Sequence, residues 1–185
     1  AGVTPDERIF GTQGIYRCNN FSKYADGTPR IISRDLCELV TDQIVNDLRA
    51  QFEPNWTSRG MTQENLYEIR VPEIPGMLME LLSHQNFADM RYGLDPNFRF
   101  AVSRAMYKGI LKFIAKRDHR AYVVQPLAVN SFAITPTANA GKFVLSWKPT
   151  ADSLETTAVA KEYEVQERIG GKGAFVRIAV VKDTK

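Results

Sequence analysis

The apolar residues of this chain change period once, and that change limits its fold more than any other feature. In "SRDLCELVTDQIVNDLRAQF", Leu36, Leu39, Val40, Ile44 and Leu48 recur three and four apart. In "DPNFRFAVSRAMYKGILKFIAKR", Phe98, Val102, Ala105, Met106, Ile110 and Phe113 do the same. Both stretches predict helices with one apolar stripe. Ser33 is the expected N-cap of the first, with Asp35 in its opening turn and Asp42, Asp47 and Arg49 on other faces. Asp95 and Pro96 supply the N-cap and first-turn pair of the second, whose last turn is basic. After residue 120 helical spacing disappears. Short β-type runs follow near 129–135, 142–148, 161–168 and 174–181, separated by Pro, Gly, Asn and Asp. The texture changes near Tyr122 to Pro126, which predicts two domains, 1–120 and 121–185.

Between the helices, "GTQGIYRC" reads as a strand, and the alternation of Leu66, Tyr67, Ile69 and Val71 in "ENLYEIRV" predicts another. "MLMELL" after "PEIPG" is an apolar run of strand length. Strands too apolar to face water, set between helices, predict an α/β layer structure. The tail has the grammar of an all-β sandwich.

Bulk properties exclude several functions. Of 185 residues, 44% are hydrophobic and 24% charged, with a net charge of +3, which suits a globular chain. The basic residues form no block or stripe, so nucleic acid is not an expected partner. No apolar stretch reaches the ~18–20 residues of a membrane span. Cys18 and Cys37 match neither a disulfide framework nor a metal-knuckle spacing, and two unconnected thiols are expected. "IGGKG" lies between β runs and reads as a hairpin turn, not a phosphate loop.

One residue breaks the pattern in a way that suggests chemistry. Glu80 sits in the apolar "MLMELL" run, and a carboxylate taken out of water is costly unless paired, protonated or bound to a cation. It is either a strand-end carboxylate paired with an arginine such as Arg70, or part of a site that includes His84. Glu64 and Glu68 make no persuasive second carboxylate for a glycosidase. His119, in "KRDHR", is expected in solvent. Phe98, Phe100 and Tyr107 are expected in helix packing, and Trp56, near Arg59, is a candidate for lining a glycan groove.

Two family resemblances follow from these motifs. "FVLSWKPT" followed by "AKEYEVQERIGGKGAFVRI" resembles the first half of a fibronectin type III domain, with Trp147 and Tyr163 at its core tryptophan and tyrosine. That family needs further strands, so the natural chain is expected to continue past Lys185. The order of helix 34–49, "RG" at 59–60, "LYEIR", "IPGMLMELLSHQNFAD" and "FAVSRAMYKGILKFI" resembles the C-terminal half of a zinc-dependent N-acetylmuramoyl-L-alanine amidase catalytic domain. The resemblances together imply a mixed sheet flanked by helices, incomplete at its N-terminus, followed by a fibronectin type III-like sandwich incomplete at its C-terminus.

The amidase resemblance implies a peptidoglycan hydrolase, periplasmic or extracellular, that cleaves the bond between N-acetylmuramic acid and L-alanine with zinc-activated water. It implies Glu80 as the general base, and His84, Asn86 and Arg70 as substrate-binding candidates. In that family two histidines and a glutamate on earlier strands hold the zinc. No histidine precedes His84, so this chain is expected to bind no zinc and to be inactive by itself, the missing N-terminal part being a possible partner. "LLSHQN" also departs from the family's usual Gly-Phe-rich loop. Two other readings stay open: an extracellular polysaccharide-processing protein of the xanthan lyase kind, and a non-catalytic carbohydrate-binding or adhesion module.

Overall fold

The computed structural model describes residues 8–17 and 22–184. The chain forms two compact units, Ala1–Tyr122 and Val123–Lys185.

The first unit is a mixed α/β structure. Its elements are β1 (Thr12–Tyr16), α1 (Ile32–Gln51), β2 (Ser58–Gln63), α2 (Tyr67–Arg70), β3 (Met77–Glu80), α3 (Phe87–Gly93) and α4 (Pro96–Arg117). The sheet order is β2-β1-β3, with β1 parallel to β2 and antiparallel to β3. Helix α1 lies across all three strands and α4 packs along α1. Leu36, Val40, Ile44 and Leu48 of α1 meet Phe98, Val102, Ala105 and Phe113 of α4 in one core, and each fully buried side chain of this size contributes about 1.5–3 kcal/mol.

Two glycines allow the layers to approach. A Cβ on Gly14 would stand 2.4 Å from Thr41 Oγ1 and 2.5 Å from Cys37 Sγ, so α1 rests directly on β1. A Cβ on Gly109 would stand 2.6 Å from Val40 Cα, so the axes of α1 and α4 close at that point.

Both long helices form where the periodicity places them, and Asp95 caps α4 by accepting from Asn97 N–H at 2.8 Å, with Pro96 in the first turn. Other expectations are corrected. Helix α1 begins at Ile32 with Ile31 at its N-cap, so Ser33 lies inside it. The Ser33 hydroxyl instead bonds the Tyr24 hydroxyl at 2.6 Å and accepts from Gly76 N–H. "ENLYEIRV" is not a strand: it contains α2, where Ile69 alone turns inward and Tyr67 and Val71 are exposed. A single helical turn before Pro72 accounts for the same alternation, and the strand beside β1 is the polar Ser58–Gln63. Asp47 is buried, not on an outer face, and in α4 Ile110 is exposed while Lys108 is buried. Phe98 is in the core but Phe100 is 61% exposed, and His119 is exposed as expected. Cys37 is a buried free thiol; Cys18 lies outside the described residues.

The second unit contains β4 (Asn130–Pro136), β5 (Phe143–Lys148), β6 (Tyr163–Glu167) and β7 (Val176–Val181). Strands β4 and β5 pair antiparallel, as do β6 and β7, giving two two-stranded sheets. The glycines of "IGGKG" turn the chain between β6 and β7, with Gly170, Gly171 and Gly173 all at positive φ. The Trp147 and Tyr163 rings meet edge to face at 5.3 Å.

Candidate active site

Glu80 is the last residue of β3, and the chain around it is held by two hydrogen-bond clusters. In one, Trp56 Nε1–H donates to Thr12 Oγ1 at 2.9 Å, and the Thr12 hydroxyl donates to the Leu81 carbonyl at 3.0 Å. In the other, the buried Asp89 carboxylate accepts from Gly11 N–H at 2.9 Å and from Ser83 N–H at 2.8 Å. Asn86 caps α3 by accepting from Asp89 N–H at 3.0 Å. The segment leaving β3 is therefore fixed to the start of β1 and to α3. Buried polar groups satisfied in this way give a site a single geometry.

The Glu80 carboxylate is half-buried and ion-paired. Arg59 Nη2 donates to Glu80 Oε2 at 2.8 Å, and the two side chains are 22% and 19% exposed. Glu80 also lines a cleft of about 610 Å³ with His84, Arg99 and Ser103 over an apolar floor that includes Leu82 and Met106. A carboxylate held by one oxygen at the edge of such a cleft can accept and return a proton from a water or amine beside it.

Of the residues singled out in the sequence, Glu80 and His84 share this cleft. Asn86 is occupied as a helix cap. Arg70 ends α2 with its guanidinium 5.9 Å from the Tyr67 ring centre, and the arginine beside Glu80 is Arg59 instead. Trp56 is 3% exposed, with its ring 5.3 Å from those of Tyr92 and Phe98, so it is core and not groove lining. Asp89 entered the sequence reading only as the acid that closes "IPGMLMELLSHQNFAD", with no role assigned to it. Sequence reasoning missed Arg59 as the partner of Glu80; the glycine following it inside a strand was the available clue. Among the described residues no three His, Cys, Asp or Glu side chains stand together as a metal ion requires.

No protein-family model matches the chain, and no curated protein matches it. Solved structures do resemble it. One is the catalytic domain of CwlV, an N-acetylmuramoyl-L-alanine amidase from Bacillus (Paenibacillus) polymyxa var. colistinus, at 17% identity and TM-score 0.48, covering 60% of this chain and 52% of that one. A second is the N-acetylmuramoyl-L-alanine amidase AmiC2 of Nostoc punctiforme, at 18% identity and TM-score 0.47, covering 62% and 52%. A third is an N-acetylmuramoyl-L-alanine amidase from Clostridium difficile 630, at 18% identity and TM-score 0.48, covering 59% and 50%. The chain spans about half the length of the solved structures it matches.

Proposed function

We propose that the first unit is part of the catalytic domain of a peptidoglycan hydrolase that cleaves the amide between N-acetylmuramic acid and L-alanine, and that Glu80 moves the proton. The observation that carries this reading is the Glu80 carboxylate itself. It stands at a strand end fixed by buried hydrogen bonds, one oxygen is held by Arg59, and it borders an open cleft. The free oxygen takes a proton as water adds to the amide carbonyl, and delivers it to the alanine nitrogen as the C–N bond breaks. The carboxylate is restored in the same turnover.

The described residues hold no cluster that could bind the zinc implied by the resemblance. The same reading sets the protein in the periplasm or outside the cell, where peptidoglycan is. No helix among the described residues is long and apolar enough to cross a membrane. The second unit is then a fibronectin type III-like spacer, a reading supported by the packing of Trp147 on Tyr163.

The test is Glu80→Gln in the natural polypeptide that contains this chain, assayed by the free N-terminal alanine released on stem peptides. Turnover is expected to fall about 10²–10⁴-fold, the range for a removed general acid–base. An unchanged rate in Glu80→Gln overturns the reading.

A further inference from the structure

We propose that Arg59 is a positioning residue for the Glu80 carboxylate, carried to it by an irregularity built into β2; the proposal rests on the reading of Glu80 given above. The irregularity is visible in the strand register. Thr12 of β1 pairs with Ser58 and Gly14 pairs with Met61, so the two residues Arg59 and Gly60 stand opposite the single residue Gln13. Gln13 in turn pairs with Glu80 across the other edge of β1. The extra residue is a β-bulge, and Gly60 in the left-handed region, at φ 72°, forms its corner.

The bulge decides which face Arg59 occupies. Met61 lies on the face of Gly14, where its Cγ would be 3.5 Å from a Cβ on that glycine and where Thr41 and Cys37 of α1 pack. Side chains alternate along a regular strand, so a residue two before Met61 would share that face. Without the bulge the guanidinium would be directed into the contact between sheet and α1. With it, Arg59 reaches past Gln13 to Glu80.

The contact has the form expected of a device that orients. An arginine–carboxylate pair that serves stability alone gains most from two parallel hydrogen bonds. Here a single bond joins Nη2 to Oε2, and Arg59 Nε is buried without a partner among the described residues, at a cost to stability. Arg59 engages Oε2, so one oxygen is anchored and the other is left for the proton. His84 and Arg99 line the same cleft, but the ion pair is made by Arg59.

The natural polypeptide containing this chain provides the test. Arg59→Met is expected to lower kcat about 10–100-fold with KM unchanged, the effect of a proton acceptor out of place. Arg59→Lys is expected to restore part of that loss. Because Arg59 acts through Glu80, the double variant Arg59→Met/Glu80→Gln should be no slower than Glu80→Gln. In the same polypeptide, Arg59→Met should move the Glu80 carboxyl ¹³C resonance and loosen its side chain. Arg59→Gln, which keeps N–H donors at this position, serves for both measurements if the methionine variant does not fold. Full kcat in either variant, an unmoved Glu80 resonance, or a double variant slowed by the whole Arg59→Met factor each overturns the proposal. If Glu80→Gln is inactive while Arg59→Met keeps full kcat, only the role of Arg59 fails; full activity in Glu80→Gln removes the underlying reading as well.

Discussion

The two units bury their apolar residues by different means and with different success. In the first, α1 and α4 face each other over a sheet of three strands, and Val40, Ile44, Leu48 and Ala105 are wholly inaccessible. In the second, Val124, Trp147 and Ala158 are buried, while Phe132, Ile134, Phe143 and Ile178 are each more than half exposed. A pair of long helices can close a core across one shared stripe. A two-stranded hairpin has one layer and two faces, and is marginal in water until something packs on it. The first unit can therefore hold a site such as Glu80 rigidly, whereas the second presents β surface.

The sharpest way to break that contrast is through a charged pair sealed inside the first unit. Lys108 Nζ lies 2.5 Å from Asp47 Oδ2, Gln43 Nε2 donates to Asp47 Oδ1 at 2.8 Å, and the two charged side chains are almost fully buried between α1 and α4. Removing one partner leaves the other charge buried without compensation. Lys108→Ala should cost the first unit about 3–5 kcal/mol, read by denaturant unfolding with hydrogen exchange followed in α1 and α4. The pair Arg177–Glu164 in the second unit is separated by 3.7 Å, with both side chains largely in water. Glu164→Ala should change stability there by at most about 1 kcal/mol. Equal losses in the two variants would remove the distinction.

A smaller effect sharpens the same contrast through pH. Burial pushes the Cys37 thiol up to about 11 from its ordinary 9.0, against the opposing hydrogen bond from Thr41. Below pH 9.0 the thiol is protonated in the folded and unfolded chain alike, and its contribution is complete. Between 9.0 and about 11 the unfolded chain gives up this proton while the folded one keeps it, so stability declines as pH rises. Cys37→Ala should remove that component of the alkaline decline in the first unit. An identical pH dependence in wild type and variant would show that the buried thiol is not its source.

What the sequence made legible follows the same physical division. Helices α1 and α4 could be read because each carries its own periodic stripe, and α4 also carries Asp95 and Pro96 at its start. Strands β3 and β4–β7 could be read because apolar runs and turn residues are local signals. Strand β2 could not, because "SRGMTQ" has almost no apolar content and owes its conformation to parallel pairing with a strand more than forty residues earlier. Neighbouring "ENLYEIRV" carried the better strand pattern and became a helical turn. Nothing local marks Lys108 as buried, because its partner Asp47 lies on another helix. Glu80 was legible as an anomaly in an apolar run, but its arginine was not: choosing Arg59 over Arg70 requires the register of β1 with both neighbours and the bulge at Gly60.

The weakest expected effect concerns the exposed apolar residues of the second unit, and there the absence of a stability change is the informative result. Phe132, on β4, is 58% exposed and lines an opening of about 480 Å³ together with Leu145, Trp147 and Tyr163. If the hairpins are held mainly by their ladders and by the Trp147–Tyr163 contact, Phe132→Ser should shift unfolding by no more than about 0.5 kcal/mol, as surface substitutions do. Its effect should appear in self-association, because a contiguous exposed apolar surface drives contact between molecules. Sedimentation at increasing concentration should show less association in Phe132→Ser than in the parent chain. A loss of several kcal/mol would mean instead that this face is part of a closed core, and the two units would then differ less than their surfaces suggest.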